Sequence, residues 1–295
     1  MRSTVLLLGV LAGAWSAASP LVAQRATREQ RIDVAVVDKN NKAVPGLGVA
    51  DFTVREDGVA REVLGVEHAE TPVQVMMLAD TSDGIRLTLP DVRAGLKAFA
   101  VRLSDARPGS EIGLMEFGER PVMLADKATS AALLDRVIDR LNEHPQSGAY
   151  LLDAIVDAAK ALKKREAKHG AIVVFLKSSS PEFSTRDAKQ IEDVLKDAHV
   201  SLWVLLLQDA GPSMSHEAQQ REMVVGDVAP RTGGIRDIVL YRMGVTSHLT
   251  QMADLLASQY TVIYARPDAL IPPTKLEVTS GKNGTRALAP RWTGQ

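Results

Sequence analysis

The chain has 295 residues, 35 Lys and Arg against 36 Asp and Glu, no cysteine and only 12 aromatic residues among 45% apolar ones. It is long enough to bury a full core, and without sulfur it has no disulfides, thiol nucleophiles, iron–sulfur clusters or cysteine zinc sites. A formal charge of −1 argues against nucleic acid as partner, because phosphate contact needs a clustered basic surface.

Arg2, an apolar run from Val5 to Trp15 and a small-residue exit predict a secretory signal peptide over 1–23, cleaved near Ala23. Ala18 is a competing site and an uncleaved anchor the alternative. Beyond it no apolar run is long enough to span a bilayer. The protein is therefore expected to be secreted or periplasmic, with no transmembrane helix after cleavage.

Residues 24–72 read as a β segment. Ile32, Val34 and Val36 alternate with Asp33 and Ala35, residues 38–41 make a turn, and Asp57-Gly58 between extended runs predicts a hairpin needing positive φ. From Val73 to Arg266 long helices alternate with apolar strands at 73–79, 111–117, 171–176, 201–207 and 260–264. Continuous apolar strands are covered on both faces. Leu89, Val92, Leu96, Phe99 and Leu103 place one apolar stripe on a helix, and similar stripes follow Thr129, Tyr150, Asp187 and Ser247. The alternation predicts an α/β fold with a doubly wound, mostly parallel sheet. Residues 267–295 turn extended again, and Asn283-Gly284 predicts a C-terminal hairpin that shares one small sheet with the N-terminal segment. The long connection 208–234 reads as a surface loop or a short extra helix, with a contact surface as the functional alternative.

Several chemical patterns fail on inspection. The six histidines show no ligand spacing, and Asp38-x-Asn40-x-Lys42 places Lys where a calcium loop needs oxygen. Gly46-Leu47-Gly48 lacks a third glycine, and Gly211-Pro212-Ser213-Met214-Ser215 fails as a nucleophile elbow. Asn283-Gly284-Thr285 is formally a glycosylation sequon, though the hairpin explains its first two residues. No nucleophile–base pair is visible, so an enzyme is not expected.

Val36-Val37-Asp38, Val44-Pro45-Gly46-Leu47, Asp51-Phe52 and Glu56-Asp57-Gly58 resemble the N-terminal module of secreted bacterial VWFA-related proteins. Leu78-Ala79-Asp80-Thr81-Ser82 resembles the first strand and loop of a von Willebrand factor A domain. Thr232-Gly233-Gly234 and Ala257-Ser258-Gln259-Tyr260 resemble the closing part of that family, so the likeness runs from about 32 to 292. It implies a VWFA-like α/β domain over 73–266 and a metal-ion-dependent adhesion site at the carboxyl edge of the sheet. The family's Asp-x-Ser-x-Ser corresponds to Asp80, Ser82 and Gly84, with Asp83 as an improvised oxygen. Its Thr corresponds to Ala149, and its later Asp to Lys177, Ser178 or Ser179.

Magnesium wants about six hard oxygens, so this degenerate site is expected to work without a cofactor, with weak Mg²⁺ binding through Asp80 and Ser82 as the alternative. Lys177 is expected either to neutralise Asp80 or to lie in solvent. The function implied is a non-enzymatic protein-binding module, engaging an unknown envelope or extracellular protein through loops 81–86, 146–150 and 177–183. A self-assembling structural protein of the envelope is the alternative.

Overall fold

The computed structural model describes residues 27–128, 130–209, 215–268 and 271–293. The expected signal peptide, its cleavage site and most of segment 211–215 lie outside these residues.

In chain order, strand β1 (Thr27–Val37) leads through a turn in which Asp38 Oδ1 accepts the amides of Asn40 and Lys42 at 2.8 and 2.9 Å. Strands β2 (Phe52–Glu56) and β3 (Val59–Arg61) form the expected hairpin, with φ of 46° at Asp57 and 83° at Gly58. Both angles are positive, as a two-residue turn matched to strand twist requires. Then come β4 (Val63–His68), β5 (Gln74–Ala79), α1 (Leu89–Ala106), β6 (Glu111–Glu116), β7 (Val122–Ala128), α2 (Ala131–Ile138), α3 (Leu151–Lys164) and β8 (Gly170–Lys177). Helix α4 (Ala188–Ala198) opens on a capping box, Asp187 accepting from the Gln190 amide while the Gln190 side chain accepts from the Asp187 amide. The rest is β9 (Val200–Leu207), α5 (His216–Met223), α6 (Ala229–Arg231), β10 (Arg236–Val239), α7 (Val245–Ala257), β11 (Tyr260–Pro267), β12 (Leu276–Ser280) and β13 (Arg286–Leu288). Connection 208–234 is thus helical over much of its described length.

The central sheet has the order β10-β9-β8-β5-β6-β7, parallel except for β7 at one edge. Its strands alternate between two cores. Val75 and Met77 of β5, Val173 and Phe175 of β8, and Trp203 and Leu205 of β9 meet α1, α2 and α7. Met76, Leu78, Ile172, Val174, Leu202 and Val204 meet α3, α4 and the 224–229 segment. Burial on both faces is why these strands read as unbroken apolar runs. The expected α/β class with a doubly wound, mostly parallel sheet is what the chain adopts. The edge strands β7 and β10 escaped the pattern because each has one open side and carries polar residues.

Two expectations are corrected. Strand 260–264 does not belong to the parallel sheet: as β11 it lies between β1 and β4 in an antiparallel sheet of order β13-β1-β11-β4. A central antiparallel strand is also covered on both faces, so its apolar run looks the same. The residues flanking Asn283-Gly284 turn there, with Gly284 at φ 72°, but β12 pairs with β2 and β13 with β1, so they form no hairpin. The small sheet β12-β2-β3 packs on the four-stranded one through Val34, Val36, Phe52, Val54, Val262, Tyr264 and Leu276. Inside, the buried Glu56 carboxylate takes Arg61 at 2.8 Å, Arg266 at 2.7 Å and the Tyr264 hydroxyl at 2.9 Å, so its charge is paired and hydrogen-bonded. The opposite face of β1, through Ala35 and Val37, joins the α1–α7 core together with Leu288 of β13.

Candidate functional site

Strands β5 and β8 are parallel neighbours with Ala79 opposite Phe175. Their ends therefore bring Asp80 beside Lys177. Asp80 is fully buried. Its Oδ1 accepts from the Ser82 amide at 3.0 Å and the Ser82 hydroxyl at 2.6 Å. Oδ2 accepts from the Lys177 amide at 3.1 Å and the Ser180 hydroxyl at 2.7 Å. Each oxygen of this buried carboxylate therefore already accepts two hydrogen bonds from the protein, which compensates its loss of water.

The Lys177 ammonium takes neither course expected of it. It is neither in solvent, since its side chain is only 11% exposed, nor paired with Asp80. It donates to the Gly84 carbonyl at 3.1 Å and lies 3.5 Å from Oδ2 of Asp209, two residues beyond β9. Asp209 also accepts from the Ser178 hydroxyl at 2.9 Å, the Ser179 amide at 3.0 Å and the Ser179 hydroxyl at 2.7 Å. Burial works to raise this carboxyl, but the hydrogen bonds of Ser179 and Ser178 and the Lys177 charge outweigh it and hold it below its ordinary value. At Gly84 φ is 80°, and an added Cβ would stand 3.0 Å from the Lys177 nitrogen. Glycine is needed there for both conformation and space.

The loop after β5 is held from outside. The Thr81 carbonyl accepts the His144 amide at 2.8 Å, and the Thr81 hydroxyl accepts the Gly118 amide at 3.1 Å. Glu143 accepts from the Gly84 amide at 2.8 Å and Arg86 Nε at 2.7 Å, and the Arg86 side chain first of all keeps its carboxyl below the usual range. Asp83 is exposed and hydrogen-bonds to no described residue, so it adds no oxygen to Asp80.

Ala149 is fully buried. Its backbone bonds to Pro181 at 2.7 Å and Phe183 at 2.8 Å, while Phe183 stands edge-on to Tyr150 with centroids 6.1 Å apart. Arg221 of α5, fully buried, donates to the carbonyls of Ser180 and Ser178. Glu182 is also buried, with one carboxylate oxygen unpartnered. Burial, only partly offset by the Ser184 hydrogen bonds and the Arg221 charge, pushes it up to about 7.

Asp80, Ser82, Gly84, Lys177 and Ser178 thus form one cluster with Ser180 and Asp209, while Asp83 and Ala149 contribute no polar group to it. Sequence reasoning missed Ser180, Asp209, Glu143 and Arg221. Asp209 carried a usable signal, an acid just past the apolar strand next to β8. Arg221 carried none, because a lone arginine in a polar stretch looks solvated.

These residues do not fit Mg²⁺. Gly84 and Ala149 have no side-chain oxygen, Lys177 fills the space beside Gly84 with a positive charge, and both Asp80 oxygens already accept protein donors. Nor is a hydrolytic pair present among the described residues of this cluster. The nearby His144 pairs with Glu116 and Glu119 at 3.4 and 3.9 Å, not with Ser82 or Ser180.

A parallel sheet with helices on both faces and a polar cluster at its carboxyl edge defines a doubly wound domain with its site at the usual edge. Residues 75–180 match the family model described as von Willebrand factor type A domain. Among solved structures the chain is similar to the von Willebrand factor type A protein from Catenulispora acidiphila, at 10% identity over 92% of this chain and 76% of that one, with a TM-score of 0.51. It is similar also to the pilus adhesin SpaC from Lactobacillus rhamnosus GG, at 11% identity over 82% and 48% of the two chains and a TM-score of 0.50. Proximal thread matrix protein 1 of the mussel byssus matches at 12% identity over 68% and 49%, with a TM-score of 0.50. At such identities the likeness is one of fold. No curated protein sequence matches the chain. Domains of this type generally mediate protein–protein interaction, and among the described residues no helix is long and apolar enough to cross a membrane.

Proposed function

We propose that this protein is a secreted, non-enzymatic binding module that engages a protein of the envelope or extracellular space directly, without a bridging cation. The observation that carries this reading is the Lys177 ammonium, lodged between Gly84 and Asp209 where an adhesion site of this fold would gather oxygens for a metal. With Asp80 satisfied internally, binding falls to side chains on the carboxyl edge of the sheet. Loops 81–86, 146–150 and 177–183 supply part of that surface, including the half-exposed Phe183. A second part, which sequence reasoning missed, follows β10. Leu87, Tyr241 and Met243 are 78%, 74% and 83% exposed, and Arg242 ties them together by donating to the Leu87 carbonyl and pairing with Asp91. Clustered exposed apolar groups of this kind mark interaction surfaces.

The test is capture of partner from envelope extract on immobilised protein, with and without EDTA. Capture should persist in EDTA and be lost in Tyr241→Ser combined with Met243→Ser. Capture that EDTA abolishes would overturn the metal-independent reading.

A further inference from the structure

One cleft lies far from Asp80, at the opposite ends of the parallel strands. The amino-terminal residues of β8 and β9 form one wall, and β1, Tyr264, Leu276 and Trp292 of the β unit form the other, enclosing about 280 Å³. That is near the lower limit of small-molecule sites, roughly 300 Å³.

Three polar groups in this cleft have no structural employment. Gln259, just past α7, is only 8% exposed, yet its side-chain amide makes no hydrogen bond with any described residue. Its polar atoms are not among the fully enclosed, unpartnered ones, so the amide opens onto the cleft, where water or a ligand can meet it. The side chains of Lys168 and His199, both exposed at the cleft, likewise form no ion pair or hydrogen bond with described residues. The acidic side is already spent. Asp33 is engaged by His169 on one oxygen and by the Thr261 hydroxyl at 2.9 Å on the other, and Arg31 is paired with Glu67. The free charge lining the cleft is therefore cationic, and the buried remainder of the wall is largely apolar or aromatic.

We propose that this cleft binds a small organic anion, a carboxylate with an apolar body. The body lies against Trp292, Leu276 and Tyr264, while the Gln259 amide and the Lys168 ammonium supply the polar contacts. Burying an aromatic or alkyl body in such a slot contributes hydrophobic free energy, and a charge-assisted hydrogen bond selects the carboxylate. The site is independent of the adhesion edge.

Calorimetric titration of the protein with 3-phenylpropionate and with its neutral amide, 3-phenylpropanamide, tests the assignment. Saturable one-to-one binding of the carboxylate is expected, with the amide weaker by about tenfold. Gln259→Leu and Lys168→Met should each weaken the carboxylate by about fivefold or more, with thermal melting as in the native protein because neither side chain holds a structural bond. Gln259→Glu provides a second arm: its carboxylate repels the ligand whatever the packing change in the leucine variant. Asp80→Ala should leave this binding intact, which separates it from the adhesion-edge proposal. No saturable heat at millimolar carboxylate, equal affinity for the amide, or native affinity in the Gln259 and Lys168 variants would overturn it.

Discussion

At the scale of single residues, Lys177 and Asp209 form the pair on which the site's closure rests. Lys177 is nearly buried, and its other partner is only the Gly84 carbonyl, so Asp209→Ala leaves a cation short of its counter-charge. Breaking one side of such a pair costs about 2–3 kcal/mol, whereas replacing both sides with apolar groups is close to neutral. Asp209→Ala is therefore expected to lower stability by that amount in chemical denaturation, and Lys177→Met in the same chain should recover the part due to the unpaired ammonium, the serine hydrogen bonds to Asp209 staying lost. Additive losses in the double variant would contradict the pairing. Glu182 makes a prediction of opposite kind. Its carboxyl is raised from 4.5 to about 7, so between those values the folded chain binds more protons than the unfolded one. Its contribution is fully present below 4.5 and lost as pH rises through about 7. Glu182→Gln keeps the shape without the charge. The variant should gain stability over the native protein on going from about pH 5 to about pH 8, by on the order of 3 kcal/mol. Parallel stability curves for the two proteins would refute this.

At the scale of elements, legibility followed burial. The helix stripes of α1 and α3 and the strands β5, β8 and β9 were plain in the sequence, because a strand covered on both faces and a helix covered on one leave opposite periodic signatures. The same rule misplaced β11, since residues 260–264 are as apolar as a parallel strand while actually pairing with β1 and β4. Which strand a strand will meet is a long-range fact that local periodicity does not carry. Asn283-Gly284 failed for the same reason: the turn chemistry is real, with Gly284 in the left-handed region, but the flanking strands find separate partners. Within the site, Asp80, Ser82 and Gly84 were legible because they share one loop. Ser180 and Asp209 arrive from elsewhere in the chain and were not. The position of β11 has a consequence: a chain ended at Ser258 leaves β4 without its partner β11 and β1 without β11 and β13, and removes β12 from β2. Such a chain should show no cooperative thermal transition by circular dichroism, and a native-like melt would show that the α/β unit stands alone.

At the scale of the whole molecule, the β unit and the α/β unit are joined through β1. One of its faces helps build the β sandwich and the other enters the α1–α7 core. Arg107, at the end of α1, reinforces the join by donating to Thr71 and Ala257 carbonyls, each at 2.8 Å. Cysteine-free and nearly neutral, the chain is held by burial and by internally satisfied polar groups, and its carboxyl edge follows the same logic. Both Asp80 oxygens accept from backbone and hydroxyl donors, and Lys177 stands where neighbouring oxygens would otherwise call for a cation. Calorimetric titration of Mg²⁺ and Mn²⁺ into the protein tests this most directly. The expected result is no saturable heat up to millimolar metal, in the native protein and in Asp80→Ala alike; one-site binding that Asp80→Ala abolishes would contradict it.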